Sequence, residues 1–245
     1  MKAILMAAGK GSRISRHIGE NPKCTLDIGG IPLIRNTVEM LLANDIEVNM
    51  VVGYEKEIIY DVLDGLPVKY YYNPFYDVTN SIASLWFAKE ALNGEPVILG
   101  NADVYWDNVI LNTLLADERD PLMLADSSRQ EEGDYLFKYE NEILLDHGKD
   151  LKKPNITGEY VGIAKLSGAI QPIFLERMEK MIDTQQHNVW WENVLYSFIG
   201  EKNIFVKDIK GQFWAEVDYI EDYYRILQYR NVPWHLEGGT KTDNL

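Results

Sequence analysis

From its amino end, the chain alternates short apolar runs with stretches whose apolar residues recur at three- and four-residue intervals. Ala3 to Met6 is an apolar run stopped by Gly9 and Gly11, the pattern of a buried central strand entering a glycine turn. After Pro32, the residues Leu33, Val38, Leu41 and Leu42 are spaced along one face of a helix, and Glu47 to Val52 reads as the next strand. The order then repeats: helix Glu55 to Leu63, strand Val68 to Tyr72, helix Ser81 to Leu92, strand Pro96 to Leu99. Strands alternating with helices predict right-handed crossovers and a parallel sheet covered on both faces.

Beyond Asp120 the period changes. Pro121 to Ala125, Tyr135 to Tyr139, Ile143 to Asp146 and Tyr160 to Lys165 are short and partly alternating, which predicts added antiparallel strands, with a hairpin turn at Glu140 and Asn141. Helices over Ile170 to Ile182 and Trp190 to Ile199, a strand near Ile204 to Val206 and a helix near Tyr219 to Tyr229 complete the pattern. The expected architecture is a Rossmann-like α/β three-layer sandwich with a mixed, mostly parallel sheet, residues 1–230 forming one domain and 231–245 a polar tail. Two stretches resemble each other, "YWDNVI" at Tyr105 and "WWENVL" at Trp190. In each, the acid is either a cap at the positive end of a helix or a ligand-binding group.

Composition narrows the classes. With 46% hydrophobic and 25% charged residues, the chain of 245 residues fits a globular protein with a filled core. A net charge of -14 argues against a nucleic-acid surface, because phosphate neutralisation by Lys and Arg supplies most of that affinity. The lone Cys24 forms no internal disulfide and no zinc site of the CxxC type, which suits a reducing cytoplasm. No apolar run reaches the length of a membrane span, and the first residues are too short a run for a signal sequence.

Chemistry concentrates at "MAAGKGSR", Met6 to Arg13. A P-loop needs a glycine where Ile4 stands, and a dinucleotide fingerprint needs one where Ile14 stands, so both spacings fail. What remains is a loop whose glycines let main-chain amides approach an anion, with Lys10 and Arg13 adding charge. A triphosphate needs a hard cation such as Mg²⁺, held through one or two carboxylates. Asp103 ends the run "VILGNAD" at the carboxyl end of a predicted strand, and Asp218 precedes the last helix, where it reads equally as a cap; Glu216 is the weaker alternative. Trp190, Trp191 and Glu192 offer two indole faces and a counter-charge to an ammonium group, and Tyr105 and Trp106 offer more beside Asp103. Tryptophans in the core are the plain alternative.

"MKAILMAAGKGSR" followed by "NPKCTLDIGGIPLI" resembles the nucleotidyltransferases that join a nucleoside triphosphate to a sugar phosphate or alcohol phosphate. "TNSIASLWFAKE", "NADVYWDN", "WWENV" and "AEVDYIEDYYR" are most similar to the bacterial phosphocholine and aminoalkylphosphonate cytidylyltransferases. The resemblance, which runs from Met1 to about Arg230, implies the nucleotide-diphospho-sugar transferase fold, with Ala8, Gly9, Gly11, Ser12 and Arg13 on the triphosphate and Lys23 on the α-phosphate. It further implies Asp103 and Asp218 on Mg²⁺, Asn80, Ser81, Ser84 and Asn101 near the nucleoside, and the segment from Gly158 to Gly162 near the acceptor. Lys149 and Lys165 are candidates for the acceptor's phosphate or phosphonate. The expected partners are CTP and a small phosphorylated or phosphonate amine; the choice of CTP follows from the resemblance alone, since no base code is visible in the residues. A sugar 1-phosphate nucleotidyltransferase and a nucleotide-binding regulatory module without chemistry are the alternatives.

Overall fold

The computed structural model describes residues 1–11, 13–14, 19–130 and 135–233. Strands β1 (Lys2–Ala7), β2 (Glu47–Val52), β3 (Val68–Tyr72) and β4 (Val97–Asn101) lie parallel in the order β3-β2-β1-β4. The sheet continues through β9 (Gly158–Leu166), β6 (Leu122–Asp126), β10 (Phe205–Asp208) and β8 (Ile143–Gly148) to β7 (Leu136–Glu140). Strands β8 and β9 run against the others, so the sheet is mixed and mostly parallel.

The period-two alternation of β1 decides which helices cover which face. Ile4 and Met6 pack with α3 (Ser81–Phe87), α5 (Gln171–Asp183) and α6 (Asn193–Tyr196). Ala3, Leu5 and Ala7 point the other way, onto α1 (Leu33–Ala43), α2 (Lys56–Val62) and α4 (Asn108–Ala116). Three layers result, as expected for an apolar sheet that must bury both faces. The last helix, α7 (Ile220–Tyr229), closes a third cluster in which Ile226 packs with Ile14, Ile28 and Leu33.

Several local readings shift. The expected helix over Ser81 to Leu92 breaks after Phe87 and resumes as a 3-10 turn over Lys89–Ala91, and the stretch from Trp190 to Ile199 is helical only over α6. The hairpin between β7 and β8 turns at Asn141 and Glu142, both at positive φ, one residue beyond the expected pair. One element had no signal in the sequence: a two-strand antiparallel ribbon of β5 (Val104–Tyr105) and β11 (Ala215–Glu216), extended by Val217 N–H donating to the Asp103 carbonyl at 3.0 Å. Two-residue strands carry no periodicity to read, yet this ribbon brings the turn after β4 beside the segment ahead of α7. Among the described residues, no helix is long and apolar enough to cross a membrane.

Candidate active site

A cleft of about 270 Å³ opens at the carboxyl ends of β1 and β4, where parallel α/β sheets bind ligands. Ala8, Gly9, Gly11 and Arg13 line one side, and Lys23 reaches in from a 3-10 turn that follows Pro22. Gly11 has a structural reason to be glycine: its φ is +62°, and a Cβ there would stand 2.3 Å from Lys23 Cγ. The lysine stem therefore lies directly over the loop. Ser12 falls outside the described residues, as do residues 234–245 of the expected tail. Lys10 is exposed beyond the cleft and rests over the Tyr54 ring, so it does not share the charge assigned to it.

Four charges meet in the cleft. Lys23 Nζ lies 2.5 Å from Asp103 Oδ2 and 2.8 Å from Asp218 Oδ1, and Arg13 Nη1 lies 2.5 Å from Asp218 Oδ2. Burial opposes the charge on Lys23, but Asp103, Asp218 and Glu216 outweigh it and hold the ammonium well above its ordinary range. Asp218 is not the cap of α7; that position is Tyr219, and Asp222 Oδ2 accepts from the Tyr219 and Asp218 amides at 2.9 and 3.2 Å. The Asp218 carboxylate is thereby left to the cleft. Glu216, on β11, also lines it, and burial together with the charges of Asp103 and Asp218 pushes its carboxyl above the usual carboxylate range.

Neutral polar groups form a second wall. Asn80 caps α3, its side chain accepting from the Ser81 amide at 2.8 Å, and Ser81 and Ser84 face the cleft from the first turns of that helix. Asn101, at the end of β4, accepts from Trp191 Nε1 at 3.0 Å and donates to Glu192 Oε1 at 3.4 Å.

The third wall is aromatic. Tyr135 and Trp190 meet edge to face with centroids 5.2 Å apart, and Lys149 Nζ lies 5.5 Å from the Trp190 ring. Tyr160 and Tyr196 line the same wall, their hydroxyls buried and without a hydrogen-bond partner among the described residues. Beside them sits Glu192, whose carboxyl is raised to about 8, chiefly by burial, with the charge of Asp103 adding to it. The two similar stretches thus diverge. Asp107 caps α4 by accepting from the Val109 and Ile110 amides, whereas the Glu192 side chain caps nothing and faces the cleft.

Four acceptor-side expectations are corrected. Tyr105 is in the third cluster, its ring 5.8 Å from Phe213 and 5.9 Å from Tyr229, and it does not reach the cleft. Trp191 is fully buried, held by the indole bond to Asn101 and by its amide donating to Ser81 Oγ at 3.0 Å; of the adjacent pair only Trp190 is available to a ligand. Gly162 does not line the cleft; its φ of +85° lets β9 pass Val104, whose Cγ2 would be 2.9 Å from a Cβ. Lys165 donates to the carbonyls of Leu114 and Asp117 and does not line the cleft. Tyr160 falls within the segment from Gly158 to Gly162 expected near the acceptor, but Tyr135 and Tyr196 were not singled out in the sequence. Tyr135 precedes β7 and Tyr196 ends α6, with no shared motif, and tyrosines are common here, 15 in the chain.

Residues 3–175 match the MobA-like NTP transferase domain. The chain is 27% identical over 235 residues to a choline-phosphate cytidylyltransferase of Streptococcus pneumoniae, covering 92% of this chain and 96% of that one. It is 26% identical over 229 residues to a 2-aminoethylphosphonate cytidylyltransferase of Lancefieldella rimae, covering 90% and 89%. In fold it is similar to the solved CTP:phosphocholine cytidylyltransferase of Streptococcus pneumoniae, with a TM-score of 0.77 at 21% identity over 94% of this chain and 98% of that one.

Proposed function

The chain belongs to the family of MobA-like NTP transferase domains, and on that footing we propose that it transfers CMP from CTP to a small amino-alcohol phosphate or phosphonate, releasing pyrophosphate. One observation carries the acceptor class: the cleft that holds Lys23, Asp103 and Asp218 also holds an aromatic wall with a buried acid, Tyr135, Trp190 and Glu192. Indole and phenol faces attract an ammonium, each contact contributing roughly 0.5 to 2 kcal/mol, and Glu192 supplies a counter-charge. The relatives named for choline phosphate and 2-aminoethylphosphonate act on acceptors of that kind.

In the reaction, an oxygen of the acceptor's phosphate or phosphonate attacks the α-phosphorus of CTP in line. The new P–O bond forms as the bond to the β-phosphate oxygen breaks, and pyrophosphate carries away the charge. Lys23 steadies the negative charge at the α-phosphate, and Arg13, a planar fork, binds the departing pyrophosphate. Lys149, beside Trp190, is placed to hold the acceptor's phosphate. The carboxylates of Asp103 and Asp218 already converge on one cationic group, the Lys23 ammonium, which is the donor chemistry a magnesium ion shared with phosphates requires. Among the described residues no group of three or more metal-binding side chains is assembled, so other positions would fall to phosphates and water. When bound there, the ion supplies charge neutralisation along the triphosphate.

Pyrophosphate release from CTP, measured with phosphocholine, phosphoethanolamine, 2-aminoethylphosphonate and sugar 1-phosphates, tests the proposal. Turnover with one or more amines is expected; turnover with a sugar phosphate alone overturns it.

A further inference from the structure

Behind the aromatic wall stands a histidine that does not itself line the cleft. His147, half-buried on β8, has its Nδ1 2.7 Å from the Tyr135 hydroxyl, and its ring stacks on Tyr196 with centroids 3.9 Å apart and planes at 18°. The planes of Tyr135 and Tyr196 are 14° apart, so the imidazole joins two tyrosines of one wall. The main chain of Tyr135, just ahead of β7, is pinned by the Tyr160 amide, which donates to its carbonyl at 2.8 Å. Its ring is placed by what it touches: Trp190 edge to face, and the imidazole at the hydroxyl end.

The charge of the imidazole matters as much as its position. Neutral, it accepts from the Tyr135 hydroxyl or donates to it according to its tautomer, and in either case adds no charge to the wall. Protonated, it draws on the same aromatic electrons that an ammonium in the cleft would use, and it repels that ammonium across a poorly solvated wall. The titratable groups around it are Tyr135, Tyr196 and, on its own strand, the exposed Asp146; Glu192 acts on both tyrosines. Burial and Glu192 push the Tyr135 hydroxyl up to about 12, and burial raises Tyr196 further still, so both phenols keep their protons. Burial also holds the imidazole below its ordinary 6.5, with Asp146 opposing. Lys149, two residues on, already sets one cation against Trp190.

We propose that His147 is a positioning residue of the acceptor site: it holds Tyr135 and Tyr196 as a wall for an ammonium, and that wall works only while the imidazole is neutral. The inference deepens the proposed transfer to an amine and rests on it. His147 touches no reacting atom and acts through the two tyrosines, so acceptor binding depends on it and CTP binding does not.

The probe is choline, whose charge is permanent and which has no phosphate to titrate, used as a competitive inhibitor against whichever acceptor is turned over. Its Ki is measured from about pH 5 to 8 for the wild type, His147→Asn and His147→Phe, with the KM for CTP and the melting temperature alongside. Asn sets an amide atom near the place of Nδ1 and takes no charge; Phe keeps the stack on Tyr196 and loses the hydrogen bond. As pH falls from about 7.5 to 5, the wild-type Ki should rise about three- to tenfold relative to that of His147→Asn, the direction set by an imidazole gaining its proton. Glu192 titrates near 8 in both proteins and cancels in this ratio. His147→Phe should weaken choline about threefold or more at neutral pH, with the KM for CTP unmoved. A merely structural role shifts the melting temperature and both substrates together and leaves the pH profiles parallel, which overturns the inference. If the variants do not fold, a wild-type Ki that stays flat below about pH 6.5 decides against it as well. Turnover of sugar 1-phosphates alone, with no inhibition by choline at any pH, overturns the amine reading itself; inhibition by choline with parallel profiles overturns this inference alone.

Discussion

Removing the charge of Glu192 should make the protein less sensitive to pH. The residue is buried against the aromatic wall, with Asn101 as its side-chain donor at 3.4 Å, and its carboxyl titrates near 8 instead of 4.5, chiefly through burial. Between those two values the unfolded chain has released the proton and the folded chain still holds it, so each step up in pH favours unfolding. Below the window both states are protonated and the effect vanishes; above it both are ionised and the penalty levels off. At about 1.4 kcal/mol per pH unit, the window caps the penalty on the order of 5 kcal/mol, and local relaxation brings the realised value below that ceiling. Glu192→Gln keeps the shape and the acceptor for Asn101 but has no proton to lose. Urea denaturation of both proteins at intervals from pH 5 to 9 should show wild-type stability falling relative to the variant up to about pH 8, then running parallel. An ammonium beside Glu192 favours its ionised form, so acceptor binding at pH 7 should release a proton, read by calorimetry in two buffers of different ionisation enthalpy. Stability curves that run parallel throughout, with no proton released, would refute a neutral Glu192 in the empty cleft.

Asp103→Asn and Asp218→Asn should each lower turnover by about a hundredfold or more while the melting temperature stays within a few degrees, because each group converges on Lys23 at the surface of the cleft and supports no core. Near-normal rates in both would place the metal-binding chemistry elsewhere. Trp190 and Trp191 should separate cleanly. Trp191→Ala empties a fully buried site and should cost about 3 to 5 kcal/mol in denaturant melts, whereas Trp190→Ala should leave stability nearly unchanged and raise the acceptor KM about three- to thirtyfold with the KM for CTP unmoved. An acceptor KM untouched by Trp190→Ala removes that ring from the acceptor site.

The sheet and its coverings were legible because burial on both faces writes a local pattern. Ile4 and Met6 on one face of β1, Ala3 and Leu5 on the other, need no partner to be recognised as a central strand. The glycine loop and Lys23 were legible for a similar reason: Gly11 and Lys23 are close in sequence, and the left-handed turn at Gly11 is a local demand of the backbone. Asp103 and Asp218 were each visible at a strand end or ahead of a helix, but their pairing was implied by the resemblance and by no local pattern, since it depends on a ribbon of two-residue strands joining distant parts of the chain. The aromatic wall was partly misread. A tryptophan is apolar enough for the core and electron-rich enough for a cation, so its sequence context cannot separate Trp191, wedged behind Asn101, from its neighbour Trp190 at the mouth. The sequence by itself determined most of the strands and helices and where the glycine loop lies, because those follow from periodicity and backbone sterics. Only the tertiary structure decided that Lys23 sits between Asp103 and Asp218 and which ring faces the cleft, because each depends on partners that chain folding, and no local pattern, brings together.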